Sequence, residues 1–366
     1  MKSWLRVLFS LGLVAALAAA AVETGEINGA QFRLEVPEGW NGVLVMYCHG
    51  YSATPGRFES AKPNPVLGAL VKEGYAVAQS GYAAGGWAIP EAVQDTEALR
   101  RHFIRQYGAP KETYVTGHSM GGFLTMLMVE QFPTAYDGGL ALCGPLAPIT
   151  WFGTRRVFDL RVVCDYYFPG VLPSPAKTPA DYARGAARNQ ELEAVLEGKP
   201  EQAAIVRRWA GIRTNKELAG TLVFFTEILR ELQQRTGGNP FDNRNTIYEG
   251  TPDDDALNDG VGRYAADGRA AEYLRAWYTP TGRPARPLLA IHNTYDVLVP
   301  PWVTNAYSTL TELSGSSPGF VQQWVKRPGH CAITPEETAR GLAQLRAWKG
   351  GGKRPPSGSV PMPSSR

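Results

Sequence analysis

The sequence is poor in several features that define large classes of protein. Of its 366 residues only 19% are charged, and the formal net charge is +3. It has no basic run and no basic stripe interleaved with aromatic residues, so we do not expect nucleic acid as a partner. Beyond the N-terminus, no segment is long and apolar enough to cross a bilayer. With 44% apolar residues, the composition is that of an ordinary globular protein.

The N-terminus has the pattern of a secretory signal peptide. Lys2 and Arg6 give it a positive start, an apolar run covers residues 7–17, and small residues fill 18–21. The alternative is a membrane anchor, but the apolar run is short beside the roughly 20 residues that a span requires. We therefore expect removal of residues 1–21, which leaves a net charge of +1. The mature protein would be secreted or periplasmic, without stable membrane insertion.

Cysteine is scarce, with four residues in the whole chain. No two of them have the C-x-x-C spacing of a zinc or redox site. An even number in an exported chain permits two disulfides with three possible pairings. We favour Cys143 with Cys164, because this bond would close a short loop at one end of the insertion described below. Buried free thiols are the alternative.

From residue 22 onward, segments typical of strands and helices alternate. Asn28-Gly29 suits the tight turn of a hairpin. Further strands are expected at 42–48, 75–80, 112–117, 139–143, 286–293 and 320–326. Helices are expected at 64–74, 89–108, 122–132, 303–313 and 334–348. This alternation predicts one α/β domain, residues 22–349, whose mostly parallel sheet is covered by helices on both faces.

Two regions interrupt or follow that alternation. Residues 144–284 have little strand signal and several helical runs, which predicts a helical cap inserted into the sheet domain. The acidic stretch "TPDDDALNDG" within it fits the start of a helix better than a calcium loop, so no metal site is expected. The tail at 350–366 is rich in Gly, Pro and Ser, a composition typical of disorder.

Ser119 is the candidate nucleophile. It lies in "GHSMG" between an expected strand and an expected helix, the context in which G-x-S-x-G marks a nucleophilic serine. Gly117 and Gly121 permit a sharp turn, and the helix N-terminus favours a developing alkoxide. The Met120 amide could then donate to an oxyanion. The alternative is an ordinary serine in a glycine-rich turn.

A nucleophilic serine needs a base, and the base needs an acid to orient it. His330 follows the last strand, and Asp296 follows the strand before it. The order Ser119, Asp296, His330 is the chain order that G-x-S-x-G enzymes use. The other histidines are weaker candidates for the base. His118 is expected to point away from Ser119, and His292 is too close to Asp296 along the chain.

The end of the first long strand supplies a second candidate oxyanion donor. The His49-Gly50 turn exposes backbone amides, and we assign the Tyr51 amide to the oxyanion hole beside that of Met120. The Tyr51 ring and Trp87, which follows a central strand, are expected to contact substrate. For Trp87 the alternative is simple packing.

The segments "CHGY", "GHSMGG", "NTYDVLVP" and "PGHC" together resemble the α/β-hydrolase superfamily over about residues 42–348. The resemblance implies an eight-stranded, mostly parallel sheet, a Ser–Asp–His triad and a cap at the large insertion. Cys331 beside His330 is similar to the Ser–Asp–His–Cys pattern of tannase-like and feruloyl esterases. That family also has a cysteine just before the serine, where this chain has His118.

The sequence therefore predicts an exported serine hydrolase that cleaves a carboxylic ester through an acyl-enzyme and needs no cofactor. The expected partner is a small-molecule or lipid-like ester. Two alternatives remain open. One is a prolyl-oligopeptidase-like or aminopeptidase-like serine peptidase with the same triad, and the other is a non-catalytic binding protein.

Overall fold

The computed structural model describes residues 21–58 and 64–360. The expected signal peptide lies outside these residues except for Ala21, which begins the first strand. Nine strands form one sheet in the order β1-β2-β4-β3-β5-β6-β7-β8-β9. They are β1 (Ala21–Ile27), β2 (Ala30–Val36), β3 (Val43–Cys48), β4 (Ala76–Ser80), β5 (Glu112–His118), β6 (Gly138–Leu142), β7 (Leu288–Tyr295), β8 (Phe320–Pro328) and β9 (Gly358–Ser359).

The sheet is parallel except at one edge. β1 and β2 form an antiparallel hairpin, and β2 pairs antiparallel with β4. Asn28 and Gly29 both have positive φ, as the predicted tight turn requires. All other neighbouring strands pair in parallel. Their carboxyl ends therefore lie at one edge of the sheet, where loops can carry functional side chains.

Helices cover both faces of the sheet and fill the insertion. Those that connect strands are α1 (Pro65–Lys72), α2 (Ile89–Tyr107), α3 (Met120–Gln131), α11 (Pro301–Leu313) and α12 (Pro335–Lys349). β3 is buried along its whole length, because apolar side chains pack on both of its faces. The mostly parallel α/β architecture predicted from the alternation is confirmed.

The segment between β6 and β7 is helical. It contains α4 (Ile149–Phe152), a π-helical stretch (Gly153–Phe158), α5 (Asp159–Tyr167), α6 (Ala186–Gly198), α7 (Pro200–Ala210), α8 (Asn215–Thr236), α9 (Asp254–Gly260) and α10 (Gly268–Trp277). We call this segment the cap. Its longest helix, α8, begins at a capping box formed by Thr214 and Glu217. No helix in the described ranges is both long and apolar enough to span a membrane.

Side chains of α8 hold the cap against the loops that follow β4. The Glu231 carboxylate accepts a hydrogen bond from the Trp87 amide at 3.0 Å and pairs with Arg235 at 2.9 Å. Arg235 also pairs with Glu91 of α2 at 2.8 Å and donates to the Gly85 carbonyl at 3.0 Å. The cap therefore covers part of the edge at which the parallel strands end.

The C-terminal segment differs from its expected disorder. Residues 350–360 are described, and Gly358–Ser359 pairs in parallel with β8 through Gln323 and Trp324. This two-residue strand is the reason that the sheet has nine strands rather than eight. Composition missed it because the pairing uses backbone groups, which Gly and Ser supply as well as any residue. Residues 361–366 lie outside the described part.

Candidate active site

Ser119 lies at a sharp turn between β5 and α3. Its φ of 57° and ψ of −121° are unusual for a residue with a side chain and carry local strain. Three hydrogen bonds hold the turn: the Ser119 amide donates to the Leu142 carbonyl at 2.9 Å, and the amides of Gly122 and Phe123 donate to the Ser119 carbonyl. The half-buried Ser119 thereby presents its hydroxyl at the carboxyl edge of the sheet.

The two glycines that flank this turn are required by close packing. A Cβ atom on Gly117 or Gly121 would collide with the Cys48 carbonyl oxygen at the end of β3. Because that atom belongs to the backbone, no side-chain rotation could relieve the overlap. The G-x-S-x-G spacing thus follows from the contact between the turn and its neighbouring strand.

The three side chains predicted as nucleophile, base and acid form one hydrogen-bonded chain. His330 Nδ1 lies 2.7 Å from Asp296 Oδ2, and His330 Nε2 lies 2.8 Å from Ser119 Oγ. A carboxylate only accepts, so Nδ1–H donates to Asp296. Nε2 is then free to accept from the serine hydroxyl. The Asp296 side chain is fully buried, whereas that of His330 is 22% exposed.

Backbone amides fix the Asp296 carboxylate. Its Oδ1 accepts from the amides of Leu298 at 2.9 Å and Val299 at 3.0 Å. These bonds fix the orientation of the carboxylate and leave Oδ2 for His330. Nearby, the buried Arg156 guanidinium donates to the Val297 carbonyl. Burial lowers the pKa of Arg156 to about 10, and the Asp296 charge acts in the opposite direction.

The loop that carries His330 is anchored by a residue that sequence reasoning did not single out. Asn293, fully buried in β7, accepts from the Ala332 amide at 3.1 Å and donates to the Ala332 carbonyl at 3.2 Å. Gly329 adds a hydrogen bond to the Tyr295 carbonyl at 2.9 Å. Asn293 begins the segment "NTYDVLVP", in which only Asp296 was assigned a role, and Arg156 lies in no motif. Their contacts in the fold are what distinguish both residues.

The remaining histidines have other partners. His118 lies 3.2 Å from the Tyr47 hydroxyl, and its pKa is lowered to about 4 by burial and by the nearby His330. His292 donates to the Val299 carbonyl at 2.7 Å, and burial lowers its pKa. His49 and His102 also make contacts away from Ser119: His49 stacks on Tyr82 at 4.0 Å, and His102 pairs with Glu23 at 2.8 Å.

The two residues predicted as oxyanion donors both lie next to Ser119: Met120 follows it in the chain, and Tyr51 approaches it across the fold. Met120 is the first residue of α3, where an amide has no acceptor within its own helix. Tyr51 follows Gly50, at which an added Cβ would lie 3.3 Å from Ser119 Cβ. The turn that ends β3 is therefore packed directly against the serine.

Tyr51 and Trp87 lie where the cap meets the sheet domain. The Tyr51 hydroxyl donates to Glu227 of α8 at 3.4 Å, and its ring contacts Phe224 edge to face at 5.4 Å. The Tyr51 and Trp87 rings are 6.4 Å apart. Trp87 is 6% exposed and its carbonyl accepts from the Tyr278 hydroxyl. The Trp87 side chain is thus largely buried by packing. Tyr51 is the more accessible of the two residues.

The disulfide joins Cys143 to Cys331, so the favoured pairing of Cys143 with Cys164 is wrong. Cys143 follows β6 and Cys331 follows His330, and both loops lie at the carboxyl edge of the sheet. Cys164 is instead buried within α5 of the cap, and Cys48 is buried at the end of β3; both are free thiols. Chain separation misled the prediction, because parallel strands bring distant loops together.

The side chains that commonly bind metals are dispersed over the described part of the chain. Among residues 21–58 and 64–360, no group of three or more His, Cys, Asp or Glu side chains is arranged to hold an ion. The groups at the candidate site are the hydroxyl, imidazole and carboxylate of the hydrogen-bonded chain, together with the backbone amides around them.

A sharp turn carries the predicted nucleophile after a central parallel strand, and the predicted acid and base lie on loops after later strands. This arrangement places the protein in the α/β-hydrolase class. Residues 25–270 match the model of the "Tannase-like family of unknown function (DUF6351)". The chain belongs to that family. The position just before Ser119, where the tannase-like pattern has a cysteine, is His118 in this chain. Cys331 is bonded to Cys143 instead.

Among curated proteins, an o-phthalyl amidase of Xanthobacter agilis is 28% identical over 128 residues. The aligned part is 33% of this chain and 26% of the amidase, so the match spans about a quarter of that relative. Such a partial match does not establish the substrate of this chain.

Solved structures of low sequence identity also resemble the chain. An esterase from Pyrococcus furiosus has 16% identity and a TM-score of 0.46, covering 94% of this chain and 96% of that one. Feruloyl esterase B from Aspergillus oryzae has 14% identity and a TM-score of 0.48, covering 92% and 80%. An acylaminoacyl peptidase from Pyrococcus horikoshii has 10% identity and a TM-score of 0.49, covering 92% and 42%.

Proposed function

We propose that this protein is a serine hydrolase that cleaves carboxylic esters through an acyl-enzyme. The observation that carries the proposal is the continuous hydrogen-bonded chain from Ser119 Oγ through His330 to Asp296, with links of 2.8 and 2.7 Å. Each link joins the atoms that a proton transfer from the serine hydroxyl would use.

In the first step Ser119 Oγ attacks the ester carbonyl carbon while His330 Nε2 takes the hydroxyl proton. The carbonyl π electrons move to oxygen and form a tetrahedral oxyanion. When this collapses, the bond to the alcohol oxygen breaks and His330 returns the proton to the leaving alkoxide. Water then attacks the acyl-enzyme by the same route, and the acid is released with Ser119 restored.

The role of Asp296 is to orient and stabilise the imidazolium that forms on His330. Two backbone amides hold the carboxylate in position, and Arg156 adds a positive charge nearby. Because Asp296 is fully buried, its interaction with the imidazolium is little screened by water.

The Met120 and Tyr51 amides would bind the oxyanion. Their position next to Ser119 supports this role, and each donor is worth roughly 3 kcal/mol in the transition state. The Tyr51 ring, with Phe224 beside it, gives the cleft an aromatic wall. We infer that the substrate is a small-molecule or lipid-like ester whose apolar part contacts this wall, and that no cofactor takes part.

An amide substrate is the second candidate, because the partial match to an o-phthalyl amidase favours it. The same three side chains could cleave an amide if His330 protonated the leaving amine. A matched pair of substrates separates the two functions: a nitrophenyl ester and a nitroanilide of one acyl group. The proposal requires much the higher kcat/KM for the ester, and comparable values would favour the amidase.

The direct test compares variants on nitrophenyl esters of increasing acyl length. Ser119→Ala and His330→Ala should each lower kcat/KM by about 10³-fold or more. His118→Asn is the matched control, since it changes the neighbouring histidine and should retain most activity. Full activity in the His330 variant would refute the assigned base.

Export is also part of the proposal. A disulfide between Cys143 and Cys331 is typical of proteins that fold in an oxidising compartment. Expression of the whole chain in a secreting host should yield a mature protein whose mass lacks residues 1–21. Retention of Lys2 and Arg6 in the mature product would contradict cleavage.

A further inference from the structure

A cavity of about 420 Å³ lies between the cap and the start of α11. Its wall contains Arg155 and Arg156 of the π-helical stretch, Trp209 of α7 and Trp302 of α11. A volume of this size suits a small organic molecule. Ser119 and His330 are not part of its wall, so it is separate from the candidate active site.

Arg156 lines this cavity, and one of its hydrogen-bond donors has no acceptor in the described part of the chain. The residue is 4% exposed, and its Nη1 donates to the Ala210 carbonyl at 2.6 Å while Nη2 donates to the Val297 carbonyl. Its Nε–H has no acceptor among the described residues. A buried donor without an acceptor is costly, and a ligand that supplies an oxygen would remove that cost.

Arginine favours a particular kind of acceptor. A guanidinium binds carboxylates through directed, charge-assisted hydrogen bonds. Arg155 is an exposed residue that provides a second positive charge at the same cavity. Its guanidinium lies 6.0 Å from the Trp302 ring centre. Two neighbouring guanidinium groups therefore favour an anion.

The remaining wall is aromatic and apolar. Trp209, Trp302 and Tyr248 line it, and the rim exposes Ile247 at 76% and Trp302 at 43%. Exposed side chains of this kind are typical of sites that bind apolar or aromatic groups. The ligand should thus combine a flat apolar body with one anionic end.

Two acids also line the cavity and act against an anion. Asp159 accepts the Tyr248 hydroxyl at 3.0 Å, and burial raises its pKa to about 6. Glu249 is an exposed residue at the rim, where water screens its charge. Asp159 is thus already engaged by a donor, whereas Arg156 Nε is not.

We propose that this cavity is a binding site for a small aromatic carboxylate, distinct from the position at which the ester is cleaved. The carboxylate accepts from Arg156 Nε and is attracted by Arg155, and the ring packs between Trp209 and Trp302. The proposal concerns binding alone, so it stands or falls independently of the hydrolase assignment.

Benzoate is the probe, titrated into the full protein by calorimetry and by the fluorescence of the wall tryptophans. Benzamide has the same shape without the charge, and benzylamine reverses the charge. We expect saturable benzoate binding, with benzamide and benzylamine each weaker by about tenfold or more. Equal binding of benzamide, stronger binding of benzylamine or no saturable binding would overturn the proposal.

Two exposed residues allow the site to be located without loss of folding. Arg155→Gln and Trp302→Ala should each weaken benzoate binding by about tenfold. Arg184→Gln and Trp277→Ala are the matched controls, because they remove an exposed arginine and an exposed tryptophan of the cap outside the cavity wall. Unchanged binding in both test variants, or equal losses in test and control variants, would contradict the assigned position.

Discussion

The disulfide between Cys143 and Cys331 joins the end of β6 to the residue that follows His330. Cys331 Sγ lies 3.5 Å from His330 Nε2, the nitrogen that faces Ser119. Asn293 holds the next residue, Ala332, from the neighbouring strand. The candidate base is therefore fixed by a covalent bond and by side-chain hydrogen bonds to the residues directly after it.

Loss of this disulfide should lower both stability and activity. The bond links residues 188 positions apart, and removal of a native disulfide costs roughly 2–5 kcal/mol. We expect the Cys143→Ala/Cys331→Ala variant to melt at lower temperature and to have a reduced kcat, because His330 is less well positioned. Thermal melts and ester kinetics measure the two effects.

The matched control is Cys164→Ala, which removes a buried thiol without opening the bond. Reductant should lower the activity of the parent and of this control, and should not affect the double variant further. Alkylation of the unfolded, unreduced protein should modify Cys48 and Cys164 alone. Modification of Cys143 or Cys331 without reductant would contradict the pairing.

Gly121→Ala should prevent the turn at Ser119 from forming. The added methyl would overlap the Cys48 carbonyl oxygen, so β3 and α3 would have to separate. We expect destabilisation of about 3 kcal/mol or more together with loss of the proposed esterase activity. Gly220→Ala in α8 is the control, since a Cβ added there would have no neighbouring atom within 4 Å. The control should gain about 0.5–1 kcal/mol in denaturant unfolding.

Arg235→Met should loosen the cap. Arg235 pairs with Glu231 and Glu91, and its side chain is 13% exposed. Its loss leaves Glu231 with the Trp87 amide but without its cationic partner, at a cost of about 3 kcal/mol, and should raise KM through the displaced aromatic wall. Arg244→Met removes an exposed pair with Asp242 and should leave the melting temperature unchanged. Equal effects of the two changes would argue against a role of Arg235 in holding the cap.

His118 should make the protein sensitive to acid. Its folded pKa of about 4 lies below the ordinary value of 6.5. Between these values the unfolded chain binds a proton that the folded chain does not, so stability falls as the pH falls from 6.5 towards 4. His118→Asn should flatten this dependence, by about 1–3 kcal/mol across the window. Denaturant unfolding at several pH values measures it, and a steeper dependence in the variant would contradict the shift.

Much of the sheet could be predicted because its strands and helices carry local signals. β3 is a continuous apolar run, α12 begins with Thr334 and Pro335, and both elements lie close to their expected positions. The hairpin followed from Asn28-Gly29. These features depend on neighbouring residues, which the sequence displays directly.

The candidate site was accessible to the same reasoning because its residues follow strands. Ser119, Asp296 and His330 each come after a parallel strand, and parallel strands end at one edge. The disulfide was not predictable in this way, since Cys143 and Cys164 are closer in the chain than Cys143 and Cys331. Arg156 and Asn293 escaped notice because their importance depends on contacts across the fold.

The proposed mechanism depends most on Ser119 as an activated nucleophile, and covalent labelling tests this role. Intact-mass spectrometry after treatment with a fluorophosphonate should show a single adduct on the parent, mapped by peptide analysis to Ser119. Ser119→Ala should show none, and His330→Ala should react far more slowly, while His118→Asn reacts like the parent. An unmodified parent, or an adduct that persists in Ser119→Ala, would contradict the proposed mechanism.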